Sequence, residues 1–466
     1  MLRVAWFTPW PPQRSGIAGR SAELVPILAR RGHAIDVFLD DRDPVLAPLI
    51  SRAPDHGPAP GDVRPQSAHD FVWRQEQRQY DLCVYQIGNS RLHEFVWPYL
   101  FRWPGLVVLH DSRLHHARGR ALLLNERFDD YRAEFAWNHP GVGPDAAELG
   151  VRGFDGAYYY QWPMRRAVIE SARLVASHSR GATDELRAEF PGRPIEYVAL
   201  GEGPLTFDLE AGGQRIRTRL AIPAKAVVFG VFGALTREKR LPEILRSFAA
   251  TRASVPNLCL LLAGRPDPRL DLDAQIATLA LGDAVHRLQP DTDDEFNAAI
   301  AAADVSLNLR WPTALETSGP LVLSLALSRA TVIVDLAHQQ HIPVLDPRTW
   351  RRHAPCEDVS PEADAEAVAV AIDILDEAHS LRLAMRRLAA DRPLREMLGR
   401  NARRFWEREH TVERMTGDYE RVMAQALQQP IPVADLPAHL RPDPAMFARQ
   451  VVQPFDVDLW EPGAGS

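Results

Sequence analysis

The sequence predicts an α/β protein of two doubly wound domains facing a cleft, and three observations carry that expectation. Short apolar runs of strand length alternate with segments whose apolar residues recur at three- and four-residue steps, as parallel sheets covered by helices require. The alternation breaks near residues 201–224 and then restarts. At 466 residues the chain is also too long for one ordinary core. The expected division is 1–203, 204–428 and a Pro-rich tail, 429–466.

In the first half, "LRVAWFT" reads as a strand, a Pro/Gly loop follows, and "AGRSAELVPILARRGH" has helical periodicity. "AIDVFLD" completes a βαβ unit. "DLCVYQIG", "GLVVLHD", "ARLVASHS" and "IEYVAL" are further strands, and 51–69 reads as a loop from its Pro and Gly content. In the second half, "AVVFGVFGAL", "NLCLLLAGR", "VSLNLR" and "ATVIVDL" are strands. They are separated by the helical stretches "KRLPEILRSFAATRAS", "DEFNAAIAAAD" and "ETSGPLVLSLALS". Residues 364–428 read as mostly helical, and the tail is expected on the surface or packed on the first domain.

The formal net charge of −7 argues against a general nucleic-acid binder. Cys83, Cys259 and Cys356 are widely spaced and match neither a metal-ligand pattern nor a disulfide framework, so a cytoplasmic setting is expected. The N-terminal apolar run is stopped by prolines and reads as a strand rather than a signal peptide. No apolar run approaches the roughly 20 residues of a membrane span. At most, peripheral contact with the inner face of a membrane is expected.

Ligands of open α/β sheets sit outside the carboxyl ends of the strands, so the residues that end each apolar run carry the chemistry. Ser15 and Gly16 open a helix whose amides could face a phosphate, or form an ordinary βα turn. They lack the G-x-G-x-x-G pattern of a nicotinamide dehydrogenase. His110 and Asp111 stand at the mouth of the buried strand "GLVVLHD", with His115 and His116 close behind. His110 is read as a hydrogen-bonding group beside substrate or as a structural histidine, and a metal site is not expected. Gly233 ends a strand, and Lys239 and Arg240 arrive at the next helix start, where cations are unfavourable unless an anion lies between. A solvated basic turn is the competing reading. Finally, "RWPTALETSGPLVLSLALS" places Glu316 before a buried helix. Its carboxylate can accept from two vicinal hydroxyls, and the amides of Thr317, Ser318 and Gly319 can bind phosphate, although a plain helix cap would use the same residues.

Together "PPQRSGIAGRSAEL", "VVLHDSRLHH", "VASHS", "FGALTREKRLPEILRSFA", "LLLAGRPDP" and "DVSLNLRWPTALETSGPLVLSLALSRATVIVDL" resemble glycosyltransferase family 4, over most of residues 1–425. These are retaining nucleotide-sugar transferases with a GT-B fold, in which two Rossmann-like domains face a cleft and a helical C-terminal segment crosses back. The resemblance implies that Glu316 grips the donor ribose and that Thr317, Ser318 and Gly319 offer amides to the diphosphate. It implies that Lys239, helped by Arg240, neutralises the pyrophosphate, and that Gly16, with Ser15, approaches the donor phosphates. His110 would lie near the transferred sugar, with Gly233, Asn308 and Arg310 lining the donor region. The Arg-, His- and aromatic-rich stretch 112–170, with Asp111, His115 and His116, would face the acceptor, a glycan, lipid-linked or other hydroxyl compound.

Two positions depart from the family pattern. Ser324 stands where a second glutamate is usual, about 80° around the helix from Glu316, and Ala234 stands where arginine is common. The expected activity is retaining, metal-independent transfer of a hexose from a nucleotide diphosphate sugar, with no bound cofactor and no nucleic-acid partner. A nucleotide-sugar-binding scaffold without turnover and a sugar-nucleotide epimerase are the alternatives.

Overall fold

The computed structural model describes residues 1–50, 61, 63–204, 208–352, 364–441, 448 and 452. The chain forms two compact units. The first comprises Met1–His178, Glu185–Val198 and Asp418–Ser466, and the second Ser179–Asp184 and Ala199–Gly417. The sequence-derived division therefore differs in three places, the first being that 199–203 open the second unit rather than close the first. The short stretch 179–184 groups with the second unit, and the last helix, written by sequence wholly into the second domain, joins the first from Asp418 onward.

The first unit carries β1 (Arg3–Phe7), β2 (Ala34–Leu39), β3 (Val63–Ser67), β4 (Leu82–Ile87), β5 (Leu106–Leu109), β6 (Leu174–Ser177) and β7 (Ile195–Tyr197). They form a seven-stranded sheet in the order β3-β2-β1-β4-β5-β6-β7, each pairing parallel. The second unit carries β8 (Val227–Phe232), β9 (Leu258–Ala263), β10 (Val285–Leu288), β11 (Val305–Asn308), β12 (Ala330–Val334), β13 (Val344–Leu345) and β14 (Ala369–Ile372). Its seven strands run β10-β9-β8-β11-β12-β14-β13, again in parallel. The central strands are buried on both faces, which is why they read as unbroken apolar runs. This is the two-domain α/β plan expected from the alternation.

Three sequence readings are corrected. The stretch 51–69 contains strand β3, "VRPQS", whose Pro65 and polar residues hide it. It lies at the sheet edge, where a proline costs no ladder bond on its open side. Residues 51–60 and 62 of that stretch are outside the described residues. The break at 201–224 contains a helix, Leu209–Arg219, capped by Asp208, whose carboxylate accepts from the Ala211 amide at 3.0 Å. Strand β14 lies within the segment read as helical, ahead of helices Glu377–Ala390, Arg392–Glu409 and Val412–Gln428.

Helix Gly16–Arg30 shows how local sequence sets the elements. Ser15 caps it, and Ala18, Ser21, Leu24, Val25 and Leu28 form one buried stripe. The C-terminal chain returns to the first unit. Tyr419 stacks on Trp6 at 5.5 Å, Arg173 donates to the Gln429 carbonyl at 2.9 Å, and Leu436 and Leu440 enter the core. Cys356 and most of the tail beyond 441 lie outside the described residues. Among the described residues no helix is long and apolar enough to cross a membrane.

Candidate functional site

In the second unit the site grows from the carboxyl ends of β8 and β11. The chain leaves β8 at Gly233, whose φ of +83° suits glycine. A Cβ there would stand 3.0 Å from Lys239 Nζ, so the glycine both turns the chain and leaves space for the lysine. Beside it, a Cβ on Gly264 would meet the Gly233 carbonyl oxygen at 2.0 Å. The two glycines let neighbouring loops run together, joined by Leu235 N–H to Arg265 O (2.8 Å) and Asp267 N–H to Leu235 O (3.0 Å).

Lys239 is buried, and its ammonium donates to the Phe232 carbonyl. Burial pushes its pKa down to about 7; Arg310 adds to the shift and Glu316 opposes it. After β11, the loop carrying Leu315 at a φ of +61° folds back on Glu316. One oxygen of the buried Glu316 carboxylate accepts from the Ala314 amide (2.9 Å) and the Thr313 hydroxyl (3.0 Å). The other lies 2.6 Å from Arg310 Nη1 without an aligned hydrogen bond. Ser318 caps helix Gly319–Ala326 through the Leu321 amide (3.4 Å). With Pro320 lacking a donor, the amides of Ser318 and Gly319 remain unpaired among the described residues.

These groups converge. Lys239, Asn308, Arg310, Glu316 and Ser318 line one cavity whose free volume is about 20 Å³, room for roughly one water. Thr313, His338 and Gln339 share it, and sequence reading missed them. For His338 and Gln339 the signal was the strand-end rule applied to β12, after which "DLAHQQ" follows; Thr313 lies in the stretch after β11 that was already singled out. Gly181 packs against His338, where a Cβ would come within 2.3 Å of the His338 Cα. Gly233, Thr317 and Gly319 border this constellation in the chain without lining the cavity.

Arg240, expected beside the diphosphate, is drawn elsewhere. It adopts a left-handed conformation (φ 59°), and both arms of its guanidinium bind Glu377 at 2.9 and 2.6 Å, which raises its pKa. Ser324 is fully buried, and its hydroxyl sits 2.7 Å from Ser306 Oγ and donates to the Pro320 carbonyl at 2.7 Å. Asn308 donates to the same Ser306 oxygen at 2.8 Å. The Ser324 position, where the sequence resemblance leads one to expect a second glutamate, thus faces the sheet, and serine there ties helix to strand.

In the first unit, Ser15 caps its helix by accepting from the Ile17 amide (3.2 Å), and a Cβ on Gly16 would meet nothing within 4 Å. His110 Nε2 donates to Gln86 Oε1 at 2.7 Å, and its ring lies 4.7 Å from that of His178. Burial, with His178, His93 and Arg20, holds its pKa well below the usual histidine value. A neutral His110 keeps Nδ1 as an acceptor. Asp111 accepts from the Asn89 amide at 2.7 Å. His115 is completely buried, paired with the Tyr131 hydroxyl at 2.8 Å, and its pKa is pushed down to about 3 by burial. It packs the helical region between β5 and β6, which corrects its expected acceptor role. His116 is exposed, its ring edge-on to Tyr159.

No family model and no curated protein matches this chain. Among solved structures it is similar to a sucrose-phosphate synthase from Thermosynechococcus elongatus, with a TM-score of 0.59 and 17% identity over 91% of this chain and 99% of that one. It is similar to Anabaena HepE in complex with UDP and glucose, with a TM-score of 0.55 and 15% identity over 91% of this chain and 100% of that one. A glycosyltransferase from Rickettsia africae gives a TM-score of 0.60 at 11% identity, over 92% and 99%. The likeness is one of fold: the chain has the two-domain α/β architecture of GT-B glycosyltransferases.

Proposed function

We infer that the chain is a retaining glycosyltransferase that moves a hexose from a nucleoside diphosphate sugar to an acceptor hydroxyl. The observation that carries this reading is the convergence, at the carboxyl ends of β8 and β11, of a buried lysine, a buried carboxylate and two unpaired amides. Glu316 suits the vicinal hydroxyls of a ribose, while Lys239 and the amides of Ser318 and Gly319 suit a diphosphate. Neighbouring folds are described with UDP, with UDP-glucose and with ADP, which supports a nucleotide donor.

Breaking the glycosyl–phosphate bond loads negative charge on the leaving diphosphate. A preorganised cation and amides are most effective where that charge develops, and they can serve in place of a divalent cation. A ribose bound by both oxygens of Glu316 would take the place that Arg310 holds beside one of them. The leaving phosphate would accept the acceptor's proton, so no protein nucleophile is needed. Neutral His110, with Nε2–H engaged by Gln86, would accept from a sugar hydroxyl through Nδ1.

The test measures donor consumption in EDTA for the wild type, Lys239→Ala and Glu316→Ala, after a thermal-shift screen of UDP, GDP, ADP and TDP. Loss of turnover in both variants is expected. Unchanged turnover in both overturns the residue assignment, and nucleotide binding without turnover on any acceptor favours the binding-scaffold reading.

A further inference from the structure

The first unit holds a second cavity, of about 180 Å³, or on the order of six waters and the scale of one sugar ring. It opens at the carboxyl ends of β2 and β3, where Asp40 and Ala68 follow the strands, and is closed by residues 94–99 and 118–127. Its polar groups are unequally committed. Arg42 is held by Asp40 through Nε (2.8 Å) and Nη2 (3.0 Å). Arg118, nine-tenths buried, lies over the Trp97 ring at 5.0 Å and gives Nε and Nη2 to the fully buried Glu134. Glu134 is held in turn by His439 Nε2 at 2.8 Å, on the returning C-terminal chain.

Among the lining groups that are not exposed, two are left over. Arg118 Nη1 makes no hydrogen bond with any described residue, and the half-buried Glu94 carboxylate has neither a hydrogen bond nor an ion pair among them. Buried and half-buried polar groups without partners are suited to a ligand that supplies both donors and acceptors. A cation at Glu94 would face Arg118, Arg42, Arg91 and Arg120, all of which act on that carboxylate. An anion would face Glu94 and Asp40. Hydroxyls satisfy both sides, since two vicinal ones can donate to a carboxylate while accepting from a guanidinium.

We propose that this cavity binds a neutral sugar ring, with Glu94 accepting from two adjacent hydroxyls and Arg118 Nη1 donating to one of them. As the subsite for the acceptor sugar, this assignment rests on the transferase reading. As a sugar site, it can be tested without it. His439 and Glu134 act as positioning residues, because they hold the Arg118 fork that leaves Nη1 to the ligand.

The experiment is saturation-transfer NMR on the full chain with the methyl α-glycosides of glucose, mannose and galactose, titrated against the wild type, Glu94→Gln and Glu316→Gln. At least one glycoside is expected to bind the wild type and Glu316→Gln alike, and to bind Glu94→Gln about tenfold or more weakly. Should Glu94→Gln fail to fold, Glu94→Asp, which retracts the carboxylate, is expected to weaken binding in the same direction. Inorganic phosphate is expected not to compete. Three results overturn the proposal: no glycoside binds, binding is indifferent to Glu94, or phosphate displaces the glycoside. Donor turnover with no Glu94-dependent glycoside binding would leave the transferase reading intact and remove this one. Glycoside binding without turnover would do the reverse.

Discussion

The two units share a strand plan and use it in opposite ways. In each sheet the first five strands, counted within the unit, lie in the order 3-2-1-4-5, and they diverge only at the last two. At the carboxyl end of the second sheet, a lysine is buried beside a carboxylate that is already faced by Arg310, in about 20 Å³ of free space. At the corresponding end of the first, about 180 Å³ is walled by arginines bound to their own acids. A sheet edge therefore does not dictate its ligand. The second unit keeps a cation under strain of desolvation, as suits an incoming anion, whereas the first neutralises its cations and suits a ligand without charge.

The largest effect that would sharpen this contrast is expected at Lys239. Lys239→Met should lower the turnover number by about 10²–10³-fold, the range for losing one preorganised donor to a developing anion. The same substitution should stabilise the second unit, because it removes a buried ammonium. The sign follows from proton linkage. The folded pKa of about 7 lies below the unfolded 10.5, so between these values the unfolded chain holds more protons and wild-type stability rises with pH. Urea unfolding at pH 7, 8 and 9 should show that slope in the wild type and lose it in Lys239→Met. A wild-type curve flat across this window would break the comparison.

Next in size, Glu316→Gln should raise the donor KM by about 10–100-fold, as removal of a charged hydrogen-bond acceptor does. Steady-state kinetics with fixed acceptor would measure it. A third effect is proton uptake. At pH 8 most of the free protein carries neutral Lys239, and a bound diphosphate should return the proton. Calorimetry in buffers of different ionisation enthalpy should register up to one proton taken up, falling toward zero at pH 6. The smallest effect is expected at Ser324. Its alanine variant should lose about 1 kcal/mol of stability with the tie to Ser306, while the donor KM stays unchanged. A changed KM would mean that this position reaches the donor after all.

Much of this was legible along the chain. The central strands β1, β4, β5, β8, β9 and β12 read as apolar runs because both their faces are buried. The stretch from Arg310 to Gly319 marked the constellation around Glu316, since capping residues and a carboxylate before an apolar helix form a local pattern. Of the edge strands, Ile195–Tyr197 was legible and the others were not. Val63–Ser67 and Val285–Leu288 bury little and lack the apolar run. Arg240 and His115 misled for another reason. Glu377 and Tyr131, the partners that decide their roles, are remote in sequence.

What the sequence determined by itself was the alternation, the glycine turns and the capped helix at Ser318, because each depends on residues within a few positions of one another. Only the tertiary structure decided which charges are spent and which are kept: Arg240 on Glu377, Arg118 on Glu134, and Lys239 held against a carbonyl with its pKa pushed down by burial. Those outcomes depend on burial and on partners brought together by the sheets. A side chain's charge is written in the sequence, but its solvent and its neighbours are not.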